Sequence, residues 1–141
     1  QMHGLINLSD CVVSLHRAEG FGLLMAEAMA MGKPVIATGY SSNMDFMNER
    51  NSFLVDYSLC EITPDDHKDQ PLLGDLYTSG QVWADPHVDH AAHLMQQVYN
   101  NPTLAQARAQ IAKQDITTSW SAETVGKLIK QRLQEIAQTH A

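Results

Sequence analysis

The sequence predicts an α/β fold: a parallel sheet flanked by helices. Three observations predict it. Two short apolar runs with β-branched residues, 11–15 and 35–38, are separated by a run of helix formers at 21–31, with joints of only a few residues. Strand, helix and strand with short joints make up the unit of a parallel sheet. The helical run stops at Gly32, with Pro34 just beyond, which is the usual punctuation of a helix end.

The elements follow in order. Residues 5–10 read as the end of a helix or a connector. Residues 11–15, Cys-Val-Val-Ser-Leu, read as a buried strand that ends at His16-Arg17-Ala18-Glu19-Gly20. The run at 21–31 is rich in Leu, Met and Ala, all strong helix formers. Val35-Ile36-Ala37-Thr38 is a second strand, closed by Gly39. Residues 41–47 make one or two helical turns, with Ser41 or Ser42 as cap. Residues 53–55 form a third strand and 59–63 one more. Residues 64–80 are polar, with two prolines and two glycines, and read as a loop. Residues 81–84 form an edge strand before Asp85-Pro86. Residues 87–99 form an amphipathic helix with Val88, Ala91, Ala92, Met95 and Val98 on one face. Residues 104–113 form a second helix. Residues 121–139 form a third, with Ser121 as cap and Val125, Leu128, Ile129, Leu133 and Ile136 as its stripe. There is no internal repeat and no low-complexity tract.

Composition narrows the function. The chain has 141 residues, 44% hydrophobic and 18% charged, as expected of one folded domain with a core. A formal charge of −7 argues against broad binding to nucleic acid or anionic membranes. A local phosphate site remains open, because backbone amides bind phosphate without lysines. Two cysteines, Cys11 and Cys60, do not make a disulfide framework, so a reducing cytosol is the expected compartment. A peripheral place at the inner face of the membrane stays open for an intact protein. No stretch approaches the roughly 20 apolar residues of a membrane span, and no signal peptide is recognisable. The chain begins at Gln1 without an initiator methionine, which hints at a fragment.

The candidate site lies where the first strand meets the first long helix. Glu19-Gly20-Phe21-Gly22-Leu23 joins the carboxyl end of a strand to a helix amino terminus, the place where open α/β sheets bind ligands. Two glycines let the backbone approach a ligand closely. The helix start favours a phosphate. Glu19 at the mouth can accept hydrogen bonds from sugar hydroxyls; the bland alternative is a salt bridge to Arg17. Glu27 is the one polar residue in an otherwise apolar helix, which suggests burial on every side. A buried carboxylate needs donors. Two adjacent ribose hydroxyls would serve, and so would a nearby Arg or Lys, or a crack to solvent.

The segment from Glu19 through Glu27 to Gly32-Lys33-Pro34-Val35-Ile36-Ala37-Thr38 resembles the Glu-x7-Glu segment of the retaining glycosyltransferases often called glycosyl transferases group 1. Those enzymes have two Rossmann-like domains, the GT-B architecture. The resemblance is strongest over the first forty residues and continues loosely to Val55. Residues 81–93 resemble a subset with a Trp-Ala-acidic-Pro segment before a helix, and Ser119-Trp120 resembles the Ser-Trp that precedes the last helix. It implies a partial Rossmann-like donor domain spanning 1–141, the carboxyl-terminal part of such an enzyme. Its substrates would be a nucleotide-diphosphate sugar and a saccharide or lipid-linked acceptor. It implies that Glu19 holds donor-sugar hydroxyls near the reacting carbon. The backbone of Gly20, Phe21, Gly22 and Leu23 would contact sugar and diphosphate, and Glu27 the ribose. No cofactor or metal is expected. His16, Ser42 and Asn43 are further donor-site candidates. The sequence departs from the family at Asn51-Ser52, often Asn-Gly there, and at the loop 38–43, which is often richer in glycine.

Ten residues before the first strand cannot hold an earlier βαβ unit, which takes about 30. The isolated chain is therefore expected to be inactive, with a sheet edge or apolar face that invites self-association. A nucleotide-binding module without transfer activity and a purely structural segment are the competing readings. His87, His90 and His93 recur every three residues, and Asp65-Asp66-His67 and Asp85-x-His87-x-Asp89 cluster acids with histidine. Metal ligands are one reading of these, solvated surface the other. Lys127, Lys130 and Arg132 could meet a membrane or simply face solvent.

Overall fold

A computed structural model of the chain describes residues 2–63 and 80–139. In chain order it contains α1 (Met2–Leu8), β1 (Val12–Ser14), α2 (Leu23–Ala30), β2 (Val35–Thr38), a 3-10 turn (Ser42–Asp45), β3 (Phe53–Val55), β4 (Tyr57–Glu61), β5 (Val82–Pro86), α3 (Val88–Asn100), α4 (Pro102–Ser119) and α5 (Ala122–Thr139). Strands β1, β2 and β3 pair in that order, all parallel. Strands β4 and β5 form a separate antiparallel pair. The chain is thus α/β, with a Rossmann-like parallel sheet flanked by helices.

The core follows from strand periodicity. All four residues of the central strand β2 are buried, as expected when both faces of a parallel sheet are covered. Val35 and Ala37 join Ile6, Met25, Ala28 and Met29 in one cluster. Ile36, whose side chain leaves the opposite face, joins Phe53, Val55, Ala91 and Leu94 in a second. Burying Met25 and Met29 contributes about 1.5–3 kcal/mol each. Helix α4 packs on α2 through buried Ala109 and Ala112, whose small side chains allow close approach.

The end of α2 is built as its sequence suggests. Gly32 takes φ +72°. Its N–H donates to the Met29 carbonyl, and the Lys33 N–H to that of Ala28, the paired bonds of a Schellman motif. The Lys33 ammonium then donates to the carbonyls of Asn7 and Ser9 at 2.8 and 2.9 Å. A cation so placed satisfies carbonyls that the end of α1 leaves open.

Several expectations need correction. Helix α2 is not buried all round: Leu23 is 67% and Leu24 41% exposed. It rests on the core through Met25, Ala28 and Met29, and its near-uniform apolarity concealed which side faces out. Neither Ser41 nor Ser42 caps the 3-10 turn with its side chain. Helix α3 buries Ala91 and Leu94, while Val88, Ala92 and Met95 are exposed. Its buried stripe is therefore rotated from the expected one. Helix α4 is longer at both ends than residues 104–113. Strand β4 starts at Tyr57 and ends at Glu61, and β5 continues through Asp85 to Pro86. The third helix is capped as expected, the Ser121 hydroxyl accepting from the Thr124 N–H. Val125 of its stripe is half-buried, but the rest is largely uncovered: Leu128, Ile129, Leu133 and Ile136 are 40–62% exposed. Of the expected loop 64–80, only Gly80 lies within the described residues.

Candidate functional site

The turn between β1 and α2 is fixed by its glycines and by the loop that follows β2. Gly22 sits at φ +89° just before α2. A methyl group there would come within 2.6 Å of Met25 Cε and 3.4 Å of Asn43 Cβ and Phe46 Cζ. The Met25 tip could shift, but at this φ any side chain is strained, so the backbone favours glycine here. Gly20 is different: a methyl group there would meet nothing within 4 Å. Phe21 turns inward, its ring 5.3 Å from that of Phe46 and 5.5 Å from that of Trp120. Gly22 supplies no side-chain cap, so among the described residues the first-turn N–H groups at Leu23 and Leu24 have no side-chain acceptor.

Glu19 is held by its main chain. Its N–H donates to the Ser41 hydroxyl at 3.1 Å, and its carbonyl accepts from Ser41 at 2.8 Å and Ser42 at 2.9 Å. Ser42 also lies 2.8 Å from the Gly20 carbonyl. Ser41 adopts φ +81° without being glycine, a conformation that costs on the order of 1–3 kcal/mol. The half-buried carboxylate of Glu19 makes no hydrogen bond or ion pair among the described residues. The expected alternative, a salt bridge to Arg17, does not form. Arg17 instead donates to Asp85 at 2.6 Å, because the β4–β5 hairpin lies on its side of the chain.

His16 and Asn43 lock the base of the turn. His16 Nε2 faces two acceptors, the Tyr40 carbonyl at 3.0 Å and Asn43 Oδ1 at 3.1 Å, so Nε2 carries hydrogen. His16 Nδ1 lies 3.1 Å from the Ser14 hydroxyl. The Asn43 amide is oriented by its own donation to the Thr38 carbonyl at 3.0 Å. Asn43 is fully buried, so its polar groups serve the loop itself. Sequence reasoning missed Ser41 as a clamp; its signal was a serine in a loop otherwise expected to carry glycine.

Glu27 lies on α2 with its side chain 40% exposed, 3.5 Å from the imidazole of His3. The cost of a lone buried carboxylate does not arise, since solvent reaches the group. An exposed contact of this kind contributes about 0–1 kcal/mol, so a ligand can displace it cheaply.

The turn at Asn51-Ser52 holds without glycine. The Asn51 side chain accepts from the Asn48 N–H and donates to the Phe46 carbonyl and Asp115. Ser52 donates to the Asn48 carbonyl. Arg108 reaches the Ser52 carbonyl at 2.9 Å and stacks on Phe53.

The histidines of α3 do not converge. His87 meets Ser58 at 2.9 Å, His90 lies 3.1 Å from Asp56, and His93 is exposed. Among the described residues no group of three His, Cys, Asp or Glu side chains is arranged for a metal. Asp65-Asp66-His67 lies outside the described residues. Lys127 and Arg132 pair along α5 with Glu123 and Glu135. Among the described residues no helix is long and apolar enough to cross a membrane. Among the described residues, grooves lie away from the Glu19 turn. One, of 470 Å³, runs along the β1 edge between Cys11, Val13, Met95 and Tyr99. Another, of 700 Å³, lies beside Tyr57, His90 and Arg108.

Residues 1–61 match the model of a family described as glycosyl transferases group 1. The matched segment holds β1, α2, β2 and β3, and with them the whole of the turn just described. The comparison with curated proteins found no match.

Proposed function

We propose that this chain is the donor-binding part of a GT-B glycosyltransferase whose parent enzyme transfers a sugar from a nucleotide-diphosphate sugar with retention. One observation carries the reading. In a segment similar to glycosyl transferases group 1, Glu19 has every main-chain polar group held and its carboxylate left unpaired among the described residues. A carboxylate fixed by its backbone and free at its tip suits hydrogen bonding to hydroxyls of a ligand.

In this reading Glu19 accepts hydrogen bonds from the donor sugar near the reacting carbon. The glycosidic bond to the diphosphate breaks as the acceptor hydroxyl attacks from the same face, and the leaving diphosphate oxygen takes both the bonding pair and the hydroxyl's proton. The backbone of Gly20, Phe21, Gly22 and Leu23, at the start of α2, faces the sugar and diphosphate and offsets that growing negative charge. Glu27, exposed and weakly engaged, accepts the ribose hydroxyls. His16, Ser42 and Asn43 support the loop rather than touch the donor. Neither metal nor cofactor is required. The acceptor, a saccharide or lipid-linked glycan, would be bound by another part of the enzyme, which would work in the cytoplasm or at the inner face of the membrane.

The test is amide chemical-shift mapping with nucleoside diphosphates and their hexose conjugates. Shifts at Gly20, Gly22, Leu23 and Glu27, with none in α5, support the reading. Shifts confined to other surfaces would sink it. A second reading, an assembly segment without a ligand, draws on the uncovered stripe of α5; the same spectra would then show no ligand response and concentration-dependent shifts in α5.

A further inference from the structure

The β4–β5 hairpin is tied to the candidate site through the Arg17 side chain. Arg17 stands two residues before Glu19. Its Nε–H donates to the Ala84 carbonyl at 3.2 Å, and its terminal nitrogen donates to Asp85 at 2.6 Å. Its guanidinium lies 4.4 Å from the centre of the Trp83 ring, within range of a cation–π attraction. The same terminal nitrogen is 3.7 Å from Cys60 Sγ. The main chain joins in: the Ala84 N–H donates to the Arg17 carbonyl at 2.9 Å. The Arg17 main chain is thus joined to β5 by one hydrogen bond. Ala84 is fully buried at this join, while Asp85 remains largely exposed.

A second tie comes from the other strand. Tyr57, at the start of β4, packs its ring 5.1 Å from that of Tyr40. Tyr40 precedes Ser41 and gives its carbonyl to His16. The hairpin therefore braces both chains that clamp Glu19: the segment leading into it through Arg17, and the Ser41 loop through Tyr40.

We propose that Arg17 is a positioning residue, holding the hairpin against the turn so that the Glu19 carboxylate stays in place for the donor sugar. The proposal rests on the donor-site reading above. Arg17 touches no ligand in this arrangement; it acts through Glu19. Its fork cannot be replaced by lysine, because one planar group serves Ala84, Asp85 and the Trp83 face together. Displacing a catalytic carboxylate by about 1 Å is enough to weaken its contacts severely.

The experiment compares two ligands, because Glu19 is assigned to the sugar and Glu27 to the nucleoside. The full chain, Arg17→Met and Asp85→Ala are titrated calorimetrically with UDP, GDP and ADP and with their hexose conjugates. Asp85→Ala, at an exposed position, covers the case in which Arg17→Met fails to fold. The expected result is a loss of about tenfold in affinity for the conjugate, with the bare diphosphate within about twofold of wild type. Equal losses for both ligands, or no loss for either, overturn the positioning role. An unmodified chain that binds neither ligand overturns the donor-site reading itself, and the positioning role with it.

Discussion

Ser41 grips Glu19 at both ends of its peptide: the serine hydroxyl accepts from the Glu19 N–H at 3.1 Å and donates to its carbonyl at 2.8 Å. The grip requires Ser41 to sit at φ +81°. Two opposing quantities therefore meet at one residue. Ser41→Ala removes the bonds and keeps the strain, costing about 1–2 kcal/mol. Ser41→Gly removes the bonds and relieves the strain, which returns about 1 kcal/mol. Urea unfolding should rank glycine above alanine at this position. Both variants should exchange the Glu19 amide proton faster than wild type. Alanine matching or exceeding glycine in stability would contradict the strain argument.

The two glycines of the turn should behave oppositely. Gly22→Ala forces a side chain into φ +89° against Met25, and should cost about 2 kcal/mol or more. Gly20→Ala meets open space and should stay within about 0.5 kcal/mol of wild type. Thermal unfolding of the two variants checks the contrast. If Gly20 serves ligand approach, its variant should keep its stability while losing nucleotide-sugar affinity.

Cys11 supplies a pH dependence. Burial pushes its thiol up from 9.0 to about 11. Because the folded value lies above the unfolded one, its contribution is intact below pH 9 and is lost as pH rises towards 11. Stability should fall across that window in wild type, and less in Cys11→Ala at its own baseline. At about pH 8 only around one Cys11 thiol in a thousand is thiolate, so its alkylation by iodoacetamide should be slow until the chain unfolds.

The exposed and buried apolar positions should separate cleanly. Met29→Ala, in the centre of one cluster, should cost about 2–5 kcal/mol. Leu133→Gln, on the uncovered stripe of α5, should change stability by less than about 0.5 kcal/mol. Sedimentation should show Leu133→Gln no more self-associated than wild type, and less so if that stripe drives association.

The βαβ core from β1 to β2 was legible because its signals agree. A β-branched run, a run of helix formers, Gly32 and Pro34 all point to one arrangement. The turn that carries the candidate site was legible for the same reason, since one short connection runs from the end of β1 to the start of α2. What stayed hidden depends on distance along the chain or on ambiguity in pattern. Arg17 and Asp85 are 68 residues apart, so nothing local announces their pairing. Helix α2 is apolar except at Glu27, so no periodicity says that Leu23 and Leu24 face out while Met25 and Met29 face in. In α3, apolar residues occupy both flanks, and Leu94 rather than Met95 proved to be the core position. Gly20 and Gly22 look alike in sequence; only the backbone angle distinguishes the one at which the fold favours glycine.

The most direct test of the donor-site assignment is a calorimetric titration of the chain with UDP, GDP and ADP and their sugar conjugates, repeated with Glu27→Ala. Saturable binding of one nucleoside diphosphate is expected, weakened about tenfold or more when Glu27 no longer accepts the ribose hydroxyls. Binding that is unchanged by Glu27→Ala would contradict the role assigned to that carboxylate. The absence of binding at millimolar ligand would contradict a donor site complete within these residues.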